Sequence, residues 1–128
     1  MEICLKCSDI GHGAKELELH KQWSGHITRE FFMQGDKEKD FGLPVSPLND
    51  RETVVLAPSQ KGFLNFLVMP LFDAFEMFIK QAKGVTEDDP ALLPVKLIKR
   101  NIKYWESEIE EPHYVLPTGP SVAILQRY

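Results

Sequence analysis

A chain of 128 residues with a formal net charge of −4, 43% hydrophobic and 27% charged residues is long enough for one folded unit burying about two-thirds of its unfolded surface. Its Lys and Arg are scattered among Asp and Glu, so no basic face exists for a nucleic-acid backbone, and that partner class is excluded. The same hydrophobic content excludes a disordered or low-complexity chain.

Met1 to Asp9 has neither a basic stretch leading into a long apolar run nor a small-residue cleavage site, so no secretory signal is read there and a cytoplasmic location is expected. Cys4 and Cys7 stand in formal Cys-x-x-Cys spacing. A structural zinc site needs four ligands and no second cysteine pair exists, so they are expected to be two small, buried, reduced thiols. From Ala14 to Gln34 the apolar residues Leu19, Trp23, Ile27 and Phe31 recur every four residues. That row predicts a helix with this face on the core, widened by Leu17 and Phe32. The charge cluster Asp36 to Asp40 continues it as a solvated segment ended by Gly42.

Leu43 to Arg51, with Pro44, Pro47, Asn49 and Asp50, reads as a loop, and Asn49-Asp50 as a helix-entry signal. Ser59 to Ala82 is apolar nearly all round, which predicts a buried helix kinked by Pro70. Its longest apolar run, Phe63 to Phe75, is broken by Asn65, Pro70 and Asp73 and falls short of the roughly 20 residues of a membrane span. Gly84 to Pro90 is a linker in which Asp89-Pro90 resembles an N-cap followed by proline at the first helical position. The last helix carries Ile98, Ile102, Trp105 and Ile109 on one face, its regular part starting near Pro94. Glu111 to Tyr128, with Pro112, Pro117 and Pro120, is expected to be an extended or disordered tail. The fold class is therefore all-α, with three main helices.

Chemistry is sparse when the residues are read alone. Asp9, ahead of a long helix, reads as a cap or a surface charge as readily as a metal ligand. His12, His20, His26 and His113 have no metal-binding spacing, and there is no phosphate loop or nucleophile motif. Phe63 and Ile27, by themselves, are core residues.

The blocks taken together carry more. Cys7-Ser8-Asp9-Ile10-Gly11-His12, Trp23, Glu30 to Glu38, Gly42 to Leu48, Asp50-Arg51 and Ser59-Gln60-Lys61-Gly62-Phe63 stand in an order and spacing that resembles the class I cyclic nucleotide phosphodiesterases. Asn101 to Trp105 resembles a block of that family's late helix. The resemblance implies a multi-helix phosphodiesterase catalytic domain of the HD-domain type, with residues 1–110 its C-terminal portion and 111–128 a tail.

The implied function is metal-dependent hydrolysis of cyclic AMP or cyclic GMP to the 5′-nucleotide in signal transduction. The implied cofactors are zinc and magnesium or manganese. On this resemblance Asp9 is the last of four protein ligands of the zinc. The other three, and the histidine that protonates the leaving group, belong to upstream motifs that do not occur in this chain. Gln60 would select the purine edge, Phe63 and Ile27 would clamp the base, and Leu48 and Trp23 would line the walls. Glu30 would hydrogen-bond position 12, where His12 stands in place of the asparagine of many cyclic AMP-selective members. Gly11 and Gly13 replace the serine and proline that commonly flank it.

The partners expected are a cyclic nucleotide and the upstream half of the catalytic domain. The resemblance also admits a homodimer and a membrane-associated longer parent, with no membrane segment here. Because Met1 lies just ahead of Asp9, the chain is expected to be a fragment inactive alone. The alternative is a non-catalytic helical fragment that binds nucleotide or another protein.

Overall fold

The computed structural model describes residues 2–86 and 89–116. Among these residues the fold is helical without strands. Helix α1 (Glu2–Asp9) runs into a 3₁₀ turn at Gly11–Ala14, and α2 (Leu17–Asp40) follows. After a loop, α3 (Leu56–Phe63) continues through a π-helical turn (Leu64–Val68) into α4 (Met69–Lys83). A 3₁₀ turn at Pro90–Leu92 then leads into α5 (Leu93–Glu110).

The core is narrow, and α3, the π turn, α4 and α5 build it. Ala57, Leu64, Val68, Phe72, Val95, Ile98 and Trp105 form one cluster. Of the predicted face of α5, Ile98 and Trp105 are fully buried while Ile109 remains 43% exposed. Asn101, also fully buried, donates from its Nδ2 to the carbonyls of Gly13 and Lys15, both at 2.9 Å. These bonds pin the first 3₁₀ turn to α5. The turn packs closely on the π turn at Gly13, where a Cβ would lie 2.8 Å from Leu64 Cδ2.

Several expectations are corrected. On α2 the side turned inward is His20, Ser24, Gly25, Thr28, Phe32 and Gly35. Leu19, Trp23 and Phe31 are 37%, 39% and 43% exposed. The apolar row lies next to the buried row, not on it. Hydrogen bonds make the polar row buriable: Ser24 meets Gln60, and His20 meets Trp105.

The helix expected to be buried all round is buried only along Ala57, Gln60, Leu64, Val68 and Phe72, while Phe66 and Leu67 are 82% and 62% exposed. Pro70 does not interrupt it. Within the continuous helix Pro70 comes just after the π turn Leu64–Val68, whose wider turn, with the Met69 N–H meeting the Leu64 carbonyl, accommodates the missing N–H. The resulting 28-residue helix Leu56–Lys83 is, by length and composition only, long and apolar enough to cross a membrane; the shorter span read from the sequence stopped at its polar residues.

Asn49 and Asp50 do not open a helix. Asp50 accepts from the Glu52 N–H at 3.1 Å within a turn, and α3 starts at Leu56. Asp89 does cap the second 3₁₀ turn, accepting from Ala91 N–H at 2.8 Å ahead of Pro90. Cys4 and Cys7 are both free thiols, as expected, but Cys4 is exposed and Cys7 half-buried, because α1 contributes no buried residue.

The first six residues of the predicted tail, 111–116, have no regular structure. They fold back along α5, where Glu108 accepts from the N–H groups of His113 (2.8 Å) and Tyr114 (2.7 Å). The Tyr114 hydroxyl donates to the Lys21 carbonyl at 3.1 Å, tying the strap to α2. Residues 117–128 of the tail, and 87 and 88 of the linker, lie outside the described residues.

Candidate functional site

Five segments meet around a cavity of about 400 Å³. The end of α1 brings Asp9, the first 3₁₀ turn brings His12, and α2 brings Ile27. The loop after α2 brings Leu48, and α3 brings Gln60 and Phe63. Six of the eight site residues expected from the sequence thus line one space. A second cavity of about 650 Å³ shares Asp9, His12 and Ile27 with the first and is also lined by Trp23. The two spaces therefore adjoin.

The loop is delivered to this place by its attachments to α2. Glu38 accepts from the Ser46 backbone N–H (2.7 Å) and from its hydroxyl (2.8 Å). Arg51 pairs with Asp36, and Lys39 with Asp50 at 2.8 Å. Gly35 lets the loop lie against the helix, because a Cβ there would sit 2.1 Å from the Asn49 carbonyl oxygen. Held at both ends, Leu48 takes φ of +68°, a left-handed conformation that costs a branched side chain about 1–2 kcal/mol. Backbone strain coincides with a cavity wall.

Gln60 is buried, and its Oε1 accepts from Ser24 Oγ at 2.9 Å. That bond uses one of the two lone pairs of the amide oxygen, so the side chain keeps both acceptor and donor capacity. Phe63 lies three residues on, with its ring parallel to His12 within 6° and the centroids 5.4 Å apart. His12 in turn faces His20. Burial draws both imidazoles down to about pH 4, His20 also through the neighbouring His12, so both are neutral near pH 7.

Glu30 is exposed on α2 and makes no hydrogen bond to His12, whose Nδ1 is met by His20 instead. The helix turns the Glu30 position toward solvent, while His20 sits on the buried row. Sequence reasoning also missed Phe31 and Leu67, which line the same cavity, and Ser24, which holds Gln60. A usable signal existed for Ser24: His20, Ser24 and Thr28 recur every four residues, a polar row that a helix does not bury without partners. Leu67, four residues after Phe63, shares its helical side.

The described residues do not fit a metal ion by themselves. Asp9 is an exposed single carboxylate, and no group of three or more His, Cys, Asp or Glu side chains that could hold a metal occurs among them. What they form is an apolar space of aromatic and aliphatic walls, with an amide and an imidazole on its lining and a carboxylate at its edge. Such a space suits a planar heteroaromatic group with a polar edge.

Residues 1–88 match the family model described as 3′5′-cyclic nucleotide phosphodiesterase. The dual specificity calcium/calmodulin-dependent 3′,5′-cyclic nucleotide phosphodiesterase 1B of Rattus norvegicus is 40% identical over 90 residues, 70% of this chain and 17% of the rat protein. The 1C protein of Homo sapiens, of the same description, is 46% identical over 72 residues, 56% of this chain and 10% of the human protein. The chain belongs to the 3′5′-cyclic nucleotide phosphodiesterase family. It spans less than a fifth of the length of these relatives.

Proposed function

We propose that this chain is the base-holding part of a catalytic domain that hydrolyses 3′,5′-cyclic nucleotides, cyclic AMP or cyclic GMP, to 5′-nucleotides. The observation that carries the reading is the convergence of Gln60, Phe63, Ile27, Leu48 and His12 on one cavity that has Asp9 among its lining residues. The base lies against Phe63 and Ile27, the Gln60 amide meets its polar edge, and Leu48 closes the wall. Trp23 lines the adjoining space where the ribose and phosphate extend. Asp9 supplies one carboxylate to a zinc held mainly by residues outside this chain, with magnesium or manganese as the second ion of the complete domain.

The exposed row Leu19, Trp23 and Phe31 supports the need for that second half, because a helix seldom leaves such a row to water unless another surface covers it. The same exposure favours one alternative, a non-catalytic helical fragment that binds nucleotide or another protein. Hydrolysis of both cyclic nucleotides, measured for this chain and for a longer chain carrying the family's upstream half, separates the two. Turnover only in the longer chain, lost in Phe63→Ala and Gln60→Ala, is the expected result; a longer chain that folds, takes up metal and hydrolyses neither nucleotide overturns the proposal.

A further inference from the structure

Helix α1 is the one described α-helix with no buried residue. On it Cys4 and Cys7 stand three residues apart, a spacing that turns two side chains to the same side of a helix. Both line the cavity of about 650 Å³ that adjoins the one lined by Gln60 and Phe63. Both are free thiols, Cys4 exposed and Cys7 half-buried against the core cluster. No group of three or more His, Cys, Asp or Glu side chains that could hold a metal occurs among the described residues, so the pair is left with the chemistry of two thiols.

Distance explains why the thiols are free and what would join them. Cβ atoms three residues apart on a helix lie about 5–6 Å from each other, and a disulfide draws them to about 3.5–4.5 Å. The regular turn is thus too long by about 1–2 Å. The gap closes if Cys4 leaves helical φ and ψ and becomes the N-cap of a shorter α1. Only Glu2 and Ile3 of the helix precede it, and the Glu2–Lys6 ion pair lost with them is exposed and contributes little. An N-cap residue keeps its carbonyl in the first intrahelical bond, so the Cys4 carbonyl, which also accepts from Ser8 Oγ at 3.0 Å, stays in place.

We propose that Cys4 and Cys7 are a peroxide-responsive redox pair, joined by a hydroperoxide in a reversible disulfide that shortens α1 from its N-terminal end. Cys4, the exposed thiol, reacts first. Its sulfur attacks the peroxide, the O–O bond breaks, and the departing alkoxide, or hydroxide from hydrogen peroxide, takes the thiol proton, leaving Cys4 as the sulfenic acid. The Cys7 sulfur then attacks the Cys4 sulfur, the S–O bond breaks, and the leaving hydroxide takes the Cys7 proton as water. Together the thiols lose two electrons and the peroxide gains them. A small dithiol reverses the change by exchange. None of these steps needs a cyclic nucleotide in the cavity.

Trypsin supplies the test, because it cuts after Lys6, between the two cysteines. The reduced chain is treated with hydrogen peroxide, blocked with N-ethylmaleimide, unfolded and digested, and the peptides are weighed. Met1–Lys6 and Cys7–Lys15 should appear joined, from chains that run as monomers on a non-reducing denaturing gel, and dithiothreitol should separate them. Both cysteines still blocked by maleimide, or a disulfide found only between two chains, overturns the proposal. So does Cys4 oxidised to the sulfinic acid while Cys7 stays a free thiol.

Cys7→Ser removes the second thiol and leaves Cys4 exposed. After peroxide, dimedone should trap a sulfenic acid at Cys4, and no adduct there overturns Cys4 as the attacking thiol. If serine at the half-buried position does not keep the fold, the joined peptides of the unaltered chain decide.

Discussion

Leu48 shows at the level of one residue how strain and function meet. Its φ of +68° is a conformation that glycine adopts freely, and its side chain is 54% exposed on a cavity wall. Leu48→Gly should therefore raise stability by about 1 kcal/mol while weakening nucleotide binding, a split read by denaturant unfolding beside ligand titration. Both quantities moving down together would mean that Leu48 serves the fold and not the cavity. For Phe63→Ala the loss of a stacked base is worth about 1–3 kcal/mol, or about fivefold to more than a hundredfold in the dissociation constant.

The two buried imidazoles make a prediction about acid. Their pKa values in the folded chain, about 4, lie below the ordinary 6.5. Between these values the unfolded state binds protons that the folded state does not. Stability is therefore full above about pH 6.5 and falls as the pH drops toward 4, at up to about 1.4 kcal/mol per pH unit for each ring. His20→Gln should flatten this slope in pH-dependent urea unfolding, and an unchanged slope would remove His20 from the account.

Among the elements, α2 carries the main lesson. Its i, i+4 pattern announced a helix correctly, yet two adjacent rows, Leu19–Trp23–Ile27–Phe31 and His20–Ser24–Thr28, both satisfy that period. Periodicity chooses the helix but not the side that faces in when each row can be satisfied by a different partner. The polar row turned inward because Gln60 and Trp105 supply its hydrogen bonds. Those partners lie on other helices, beyond the reach of any local pattern.

Two contacts between elements are open to test. Gly35→Ala places a methyl group against the Asn49 carbonyl and should cost about 1–3 kcal/mol. It should also weaken nucleotide binding, since the displaced loop carries Leu48. Asn101→Ala leaves the Gly13 and Lys15 carbonyls without their donor, at about 1–3 kcal/mol. It should loosen the turn that carries His12, which hydrogen exchange at residues 11–15 would detect; protection there unchanged from the native chain would refute the pinning role of Asn101.

Across the whole molecule, more apolar surface is left uncovered than the composition suggested. Phe66, Leu67, Met77 and Phe78 stand out along the helix from Leu56 to Lys83, with exposures of 59% or more, in addition to the row on α2. Uncovered patches of this kind favour association. Sedimentation should show self-association that grows with concentration, and the double substitution Met77→Glu with Phe78→Lys should reduce it without altering nucleotide binding.

The all-α class, the positions of the long helices, the loop between them and the family are legible in the residues alone, because they depend on local periodicity and on the order of short blocks. So are six of the residues that line one cavity. Packing between helices set which row of α2 is buried, that Pro70 follows a π turn without breaking the helix, and that Ser24, His20 and Trp105 stand behind Gln60 and His12. These outcomes depend on hydrogen bonds between helices far apart in the chain, and the free energy of such a bond belongs to a pair of residues that no single stretch of sequence contains.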